Sequence, residues 1–195
     1  MRWRKIMKTD VISGKIEVRF GWESFPRQYS GGLLAGLMNK PMEIDCDASA
    51  VFLNRDKRPV SKEMTESVLN YQNSRMFDEA ALHLGDNTKG ELADDEVIVL
   101  DLDRIPGEVE TIAFTLDLFK EKKRLESGTV QNTFVRIVIP DSGDEVCRSD
   151  FCSLNSGMKL AVCGFLHRTE KGWTFEAGQD SYNANDMKDA LEHFS

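Results

Sequence analysis

The sequence predicts an all-β chain, an antiparallel β-sandwich of about nine strands with one short helix at the C-terminal end. Three observations predict it. Short stretches with two-residue alternation recur along the chain, clusters of Gly, Pro, Asn and Asp separate them, and a helical period is strong at one place only. Strands that follow one another without regular intervening helices point to a sandwich rather than a βαβ alternation.

In chain order the strand candidates begin with KIEVRFGW (15 to 22) and EIDCDASAVFL (43 to 53), the second alternating carboxylates with small apolar residues. Between them, SFPRQYSGGLLAGLMNKP (24 to 41) is loop-like through its Pro and Gly content, yet contains the apolar LLAGLM. It is read as a loop packed on the sheet edge, with a lid as the alternative. ESVLNYQN (66 to 73) follows, then EVIVLDL (96 to 102), a run of β-branched and aliphatic residues. TIAFTLDLF (111 to 119) and TFVRIVI (133 to 139) flank KEKKRLES (120 to 127), a charged connector read as a solvated loop. EVCRSDF (145 to 151), KLAVCGFLH (159 to 167) and GWTFEAG (172 to 178) complete the set. At the end, NANDMKDALEHF repeats Met187, Leu191 and Phe194 at helical spacing behind an Asn or Asp cap, so a helix is expected within 184–195.

The 195 residues suit a single domain over 1–195, with a basic N-terminal end at 1–10. Hydrophobic residues at 41% and charged ones at 30% indicate a folded globular protein rather than a disordered one. Acids outnumber bases 33 to 25, a formal charge of -8, which argues against a nucleic-acid partner and favours cations. The opening MRWRKIMK is basic but lacks the apolar core of a signal peptide, and no stretch approaches the ~18 apolar residues of a membrane span. It is read as a solvated end, with a membrane-surface contact as the alternative.

Cys46, Cys147, Cys152 and Cys163 form no Cys-x-x-Cys pair and are read as reduced, as in the cytoplasm. Neither they nor His83, His167 and His193 have zinc-site spacing. No Walker loop, Gly-x-Ser-x-Gly elbow or dinucleotide fingerprint is present, so no enzyme activity is assigned.

Two acidic segments carry the chemistry. In an extended strand Glu43, Asp45, Asp47 and Ser49 share one face, and Ile44, Cys46, Ala48 and Ala50 the other. Residues 83 to 103 then hold seven acids, Asp86, Glu91, Asp94, Asp95, Glu96, Asp101 and Asp103, against Lys89 alone. Oxygen-rich, nitrogen-poor clusters suit calcium, which takes 6 to 8 oxygen ligands. A solvated acidic rim is the competing reading. The pattern is not an EF-hand, because counting from Asp45 the sixth position is Ala50 and the twelfth Asp56. His83 beside the turn is expected to cap it by a hydrogen bond, and Cys46 to be an inert small hydrophobe.

EIDCDASAVFLN resembles the Asp-x-Asp-x-Asp-Ala-Ser-Ala segment of the TerD family of tellurium-resistance and general-stress proteins, and HLGDNTKGELADDEVI is similar to its His-x-Gly-Asp-Asn…Gly…Asp-Asp-Glu segment. TVQNTFVRIV, GFLHRTEKGWTFEAGQDSY and the Gly21-Trp22 pair extend the resemblance over about 15 to 183. It implies a β-sandwich in which the acidic segments meet and bind calcium, Ca2+. The implied ligands are Asp45, Asp47, Asp86, Asn87, Asp94, Asp95 and Glu96, with Gly85 and Gly90 supplying carbonyls or the tight turn. Asn132 is implied either to brace the site or to make a structural amide bond. Glu43 stands where Asp is usual, Lys120, Met158 and Phe165 stand where acids are usual, and the loop from Gly90 to Asp94 is one residue short, which implies weaker affinity or one ion instead of two. The family further implies a non-enzymatic cytoplasmic stress protein acting by assembly with related tellurium-resistance and stress-operon proteins, with peripheral membrane association considered. The alternative is a calcium-dependent module for an anionic ligand (phosphate, nucleotide or lipid head group), for which Lys89, Arg55 and Lys57 are the nearby bases.

Overall fold

A computed structural model describes residues 11–26, 45–86, 94–118, 128–151, 154 and 157–194. The strands are β1 (Lys15–Pro26), β2 (Asp47–Leu53), β3 (Val68–Leu69), β4 (Arg75–Met76), β5 (Ala81–Asp86), β6 (Glu96–Asp101), β7 (Thr111–Asp117), β8 (Gly128–Val138), β9 (Glu145–Asp150), β10 (Leu160–Thr169), β11 (Gly172–Ala177) and β12 (Ser181–Tyr182). A helical turn α1 (Met64–Ser67) precedes β3, and α2 (Met187–Leu191) runs into a 3-10 turn, Glu192–Phe194. All named pairings are antiparallel, in two sheets ordered β4-β5-β6-β1-β8-β9 and β11-β10-β7-β2-β3, with β12 added to β10.

Alternation builds the core. Ile16, Val18 and Phe20 of β1, with Ile98 and Leu100 of β6, face Ala48, Ala50 and Phe52 of β2 and Ile112, Phe114 and Leu116 of β7. Phe20 meets Phe114 edge-on, ring centroids 6.4 Å apart. β2 and β7 are buried on both faces, because a second apolar cluster covers the outside of their sheet: Val51, Leu53, Ala113 and Leu160 pack with Ala184, Met187 and Ala190. The closing helix is therefore structural. Asp186 caps it by accepting the Asp189 N–H at 2.9 Å, and Leu191 and Phe194 pack on the same cluster.

Two local readings change. The expected strand 66 to 73 shrinks to Val68–Leu69, since α1 claims its start and Asn70 closes a turn by accepting the N–H groups of Gln72 and Asn73. The stretch Ala81–Asp86, which is not among the nine strand candidates, is a strand with an irregular register between His83 and Asp86. Most of the segment 24 to 41 and all of 120 to 127 lie outside the described residues.

Candidate metal centre

The site starts with the alternation of β2. Cys46, Ala48 and Ala50 enter the inter-sheet core, so Asp47 and Ser49 face the other way. That other face is not solvated: Asp47 is 8% exposed and Ser49 1%. Directly opposite on β7 stand Asp117 and Thr115, also buried. Asp45, just before β2, is exposed.

The other sheet supplies the second segment. Gly85 takes a left-handed φ of +74°, which lets β5 bulge between His83 and Asp86. Its N–H donates to His83 Nδ1 at 3.1 Å, so the proton of the neutral ring sits on Nε2, which lies 3.1 Å from the Ala48 carbonyl. His83 thus caps the turn, as expected, and both of its nitrogens face protein groups. Glu96 reaches across the sandwich, where its Oε2 accepts the Ala48 N–H at 2.6 Å. The two acidic segments therefore meet inside the fold.

Asp95 is placed by β1. Its N–H donates to the Phe20 carbonyl at 2.7 Å, and its Oδ2 accepts the Trp22 N–H at 2.8 Å. A register shift between Gly21 and Glu23 turns that N–H out of the ladder with β8. At the same irregularity Asn132 takes a φ of +52° and donates from Nδ2 to Glu23 Oε2 at 2.6 Å, a strand-bracing amide bond.

Asp94 departs from the ligand role implied by the resemblance. Arg19 and Arg136 face each other in the β1–β8 register, and Asp94 sits between them. Its Oδ1 accepts Arg136 Nε at 2.8 Å, and its Oδ2 accepts Arg136 Nη2 at 2.5 Å and Arg19 Nη1 at 3.1 Å. The Asp94 hydrogen bond is the largest influence raising the pKa of Arg136. For Arg19 burial pulls downward, but Glu17 and Asp94 outweigh it. With both oxygens taken by guanidinium groups, Asp94 is an electrostatic brace.

Asp86 ends β5 in register with Glu96, while Asn87 and Gly90 lie outside the described residues. Around Cys46, burial and then the charges of Asp117, Asp45, Glu96 and Asp95 push the thiol well above its usual pKa. Of these, Asp117 was missed in the sequence; its signal was an acid in the same alternating row as Ala113 and Thr115 of an otherwise apolar strand. The inert-thiol expectation for Cys46 fits its burial, and Cys46, Cys147 and Cys163 form no disulfide; Cys152 lies outside the described residues.

The chemistry of this donor set, all carboxylate and carbonyl oxygen, fits a hard cation. Among the described residues no three or more His, Cys, Asp or Glu side chains converge on one metal position, so a full coordination sphere needs oxygens beyond them. Arg55 and Lys57 lie past Leu53, at the opposite end of β2 from Asp47 and roughly 20 Å from it at ~3.3 Å per residue. They do not join the acidic end, and Lys89 lies outside the described residues.

Comparison with known proteins agrees with the fold. The TerD domain model matches residues 5–194. The stress response protein SCP2 of Bacillus subtilis (strain 168) is 26% identical over 198 residues, 97% of this chain and 96% of that protein. The tellurium resistance protein TerD of Alcaligenes sp is 32% identical over 174 residues, 88% of this chain and 83% of that protein. A solved homologue of telluride resistance protein (TerD) from Streptomyces coelicolor A3(2) has the same fold, with a TM-score of 0.60 at 17% identity, covering 94% of this chain and 98% of that one. A match that runs nearly end to end, on a sandwich whose two acidic segments come together, makes this chain a member of the TerD family.

Proposed function

We propose that this chain is a calcium-binding, non-enzymatic stress protein of the cytoplasm that acts by assembling with other tellurium-resistance and stress proteins. The observation that carries the reading is the direct bond from Ala48 N–H to Glu96 Oε2, which brings the second acidic segment onto the backbone of the first. Asp95 and Glu96 of the second segment and Asp45 and Asp47 of the first are the candidate ligands; no three of them converge on one position, so Asp86 and the residues that follow it would supply further oxygens. A cation there supplies charge neutralisation and a cross-link between loops remote in sequence.

The names of the relatives, resistance and stress proteins, support a non-catalytic role. One hydroxyl–imidazole–carboxylate chain exists, Thr111 Oγ1 to His167 Nδ1 at 3.1 Å and His167 Nε2 to Glu176 Oε2 at 2.9 Å. Its hydroxyl is buried in a strand, and the chain runs across β7, β10 and β11, directly from Thr111 to His167 and diagonally from His167 to Glu176. It ties three strands together. An open groove of about 470 Å³ lies elsewhere, lined by Val60, Glu66, Arg75 and Phe77. Among the described residues no helix is long and apolar enough to cross a membrane. A peripheral membrane contact would therefore be a surface contact of the basic residues 1–10, readable by vesicle co-sedimentation.

The test is titration calorimetry of metal-stripped protein with calcium and magnesium. At calcium a hundredfold above Kd, binding raises stability by roughly 2.7 kcal/mol through mass action. Asp95→Ala is expected to lose most of that gain. An unchanged calcium-induced rise in Tm in this variant, or no heat of binding in the parent, would overturn the reading.

A further inference from the structure

Strand β9 is one edge of the first sheet, and among the described residues no strand lies beyond it. The register decides which of its main-chain groups are open. The carbonyls of Gly14 and Phe20 accept from Leu102 and Asp95, so along β1 up to Phe20 the even-numbered residues turn to β6 and the odd-numbered ones to β8. Arg19 therefore bonds to Arg136, while Val135 and Ile137 turn to Ser149 and Cys147 of β9. The Phe151 N–H keeps the same phase, donating to the Thr133 carbonyl at 3.1 Å. The N–H and C=O groups of Arg148 and Asp150 thus point away from β8, across the edge. Beyond Phe151 the chain comes back to β8, where Leu154 exchanges both bonds with Val130.

An edge strand invites another strand, and charges or a bulge usually guard it. β9 has both. A register shift beside Glu145 confines the regular ladder to residues 147–151, and Arg148 and Asp150 share the outer face. These two charges have opposite sign, so they select a register instead of forbidding pairing. When β9 meets a second copy antiparallel, hydrogen-bonded positions join outward-pointing residues, which here are Arg148 and Asp150. Arg148 on Arg148, or Asp150 on Asp150, sets like charges opposite one another. Arg148 on Asp150 gives, by two-fold symmetry, two ion pairs.

The inner face fits the same register independently. With Ser149 on the two-fold axis, Cys147 of one copy stands opposite Phe151 of the other, and both are half-buried side chains at the rim of the core. On the outer face Arg148 is already placed, its guanidinium 3.9 Å from the centroid of the Phe134 ring. Its Nε donates to Asp150 of its own strand at 3.1 Å, one of the five N–H donors of the fork. The Asp150 side chain is 76% exposed, open to a second guanidinium.

We propose that β9 is a self-association edge, on which two copies of this chain pair antiparallel through residues 147–151 with Arg148 against Asp150, joining their first sheets into one. The partner is a second copy rather than a relative, and none of the candidate calcium ligands takes part. So short a ladder buries less than a standard interface, and the dimer is reversible and concentration-dependent.

The experiment is sedimentation velocity of the metal-stripped full chain over a concentration series, for the parent, Arg148→Asp, Asp150→Arg and the exchange of both. The parent is expected to dimerise. Each single variant places like charges opposite one another and raises the dimer Kd at least tenfold. The exchange restores pairing, and an equimolar mixture of the two single variants forms a mixed dimer. Near-UV circular dichroism reports the fold, and where Arg148→Asp disturbs it by uncovering Phe134, Asp150→Arg decides. A parent that stays monomeric at every concentration overturns the proposal, as does a dimer indifferent to these charges. With no metal present, either result leaves the calcium reading as it stands.

Discussion

Replacing Asp94 with Asn separates a brace from a ligand. The substitution preserves shape and removes the charge between Arg19 and Arg136, whose guanidinium groups face each other in register. Breaking a buried ion pair from one side costs about 3–5 kcal/mol. Asp94 itself is 0% exposed, but Arg19 and Arg136 retain 22% and 18% side-chain exposure and keep Glu17 and Glu145 as second partners. Solvent and those partners reduce the penalty to roughly 2–3 kcal/mol. For a chain of this size that lowers Tm by roughly 4–12 °C, at about 2–4 °C per kcal/mol. The assay is urea unfolding of metal-stripped protein followed by fluorescence, repeated with saturating calcium, and with Arg136→Met to close a double-mutant cycle. A brace gives the same loss with and without calcium, and a coupling energy to Arg136. A loss below about 1 kcal/mol in metal-free protein, growing only when calcium is present, would refute the reasoning and return Asp94 to the ligand set.

Glu96→Gln weakens a charge-assisted bond to a buried N–H, and about 1–2 kcal/mol should be lost even without metal in equilibrium unfolding. Gly85→Ala forces an L side chain to φ +74° where space is open, so the expected cost, about 1–2 kcal/mol, is conformational, and the calcium titration should weaken with it. Asp78→Gly acts in the other direction. Phe77, Asp78 and Glu79 all hold positive φ, and relieving exposed Asp78 should raise the unfolding free energy by about 0.5–1 kcal/mol, read as a higher urea midpoint at constant m. Burial pushes the Cys147 thiol from 9.0 up to about 12. The folded state therefore favours the neutral thiol, whose contribution is full below pH 9.0 and is lost as pH rises towards 12. Parent protein should lose stability over that window faster than Cys147→Ser, as read by urea midpoints at successive pH values.

Local pattern was enough to place most strands, the inward row Cys46, Ala48 and Ala50, and the capped closing helix, because period and capping are properties of neighbouring residues. It was not enough for β5, where a bulge at Gly85 interrupts the alternation and the Gly-Asp-Asn chemistry reads as turn. Nor could it pair Asp47 with Asp117, 70 positions away, since register between remote strands is set by the whole sheet. The same limit hid the fate of Asp94. An acid beside two others looks like a ligand until Arg19 and Arg136, from separate strands, are brought to it.

Seen from the fold, the consecutive acids 94–96 divide their work by direction. Asp94 fastens to guanidinium groups on β1 and β8, Asp95 to a main-chain N–H exposed by the bulge in β1, and Glu96 to a main-chain N–H of β2 in the facing sheet. Only Glu96 lies within β6, so strand alternation does not bind Asp94 and Asp95, and the three side chains leave the chain in different directions. Glu96 thereby staples the two sheets together, while Asp94 and Asp95 tie the approach to β6 onto β1 and β8 of its own sheet. A carboxylate already held by an N–H would lose little further freedom if a cation bound its remaining lone pairs, so such anchoring would favour the proposed ion. The stapling also sets a limit on how the motif can vary. Asp95 and Glu96 accept from main-chain donors that every sequence supplies, whereas the Asp94 brace depends on two arginines, so acid at this position is needed only as long as Arg19 and Arg136 face each other.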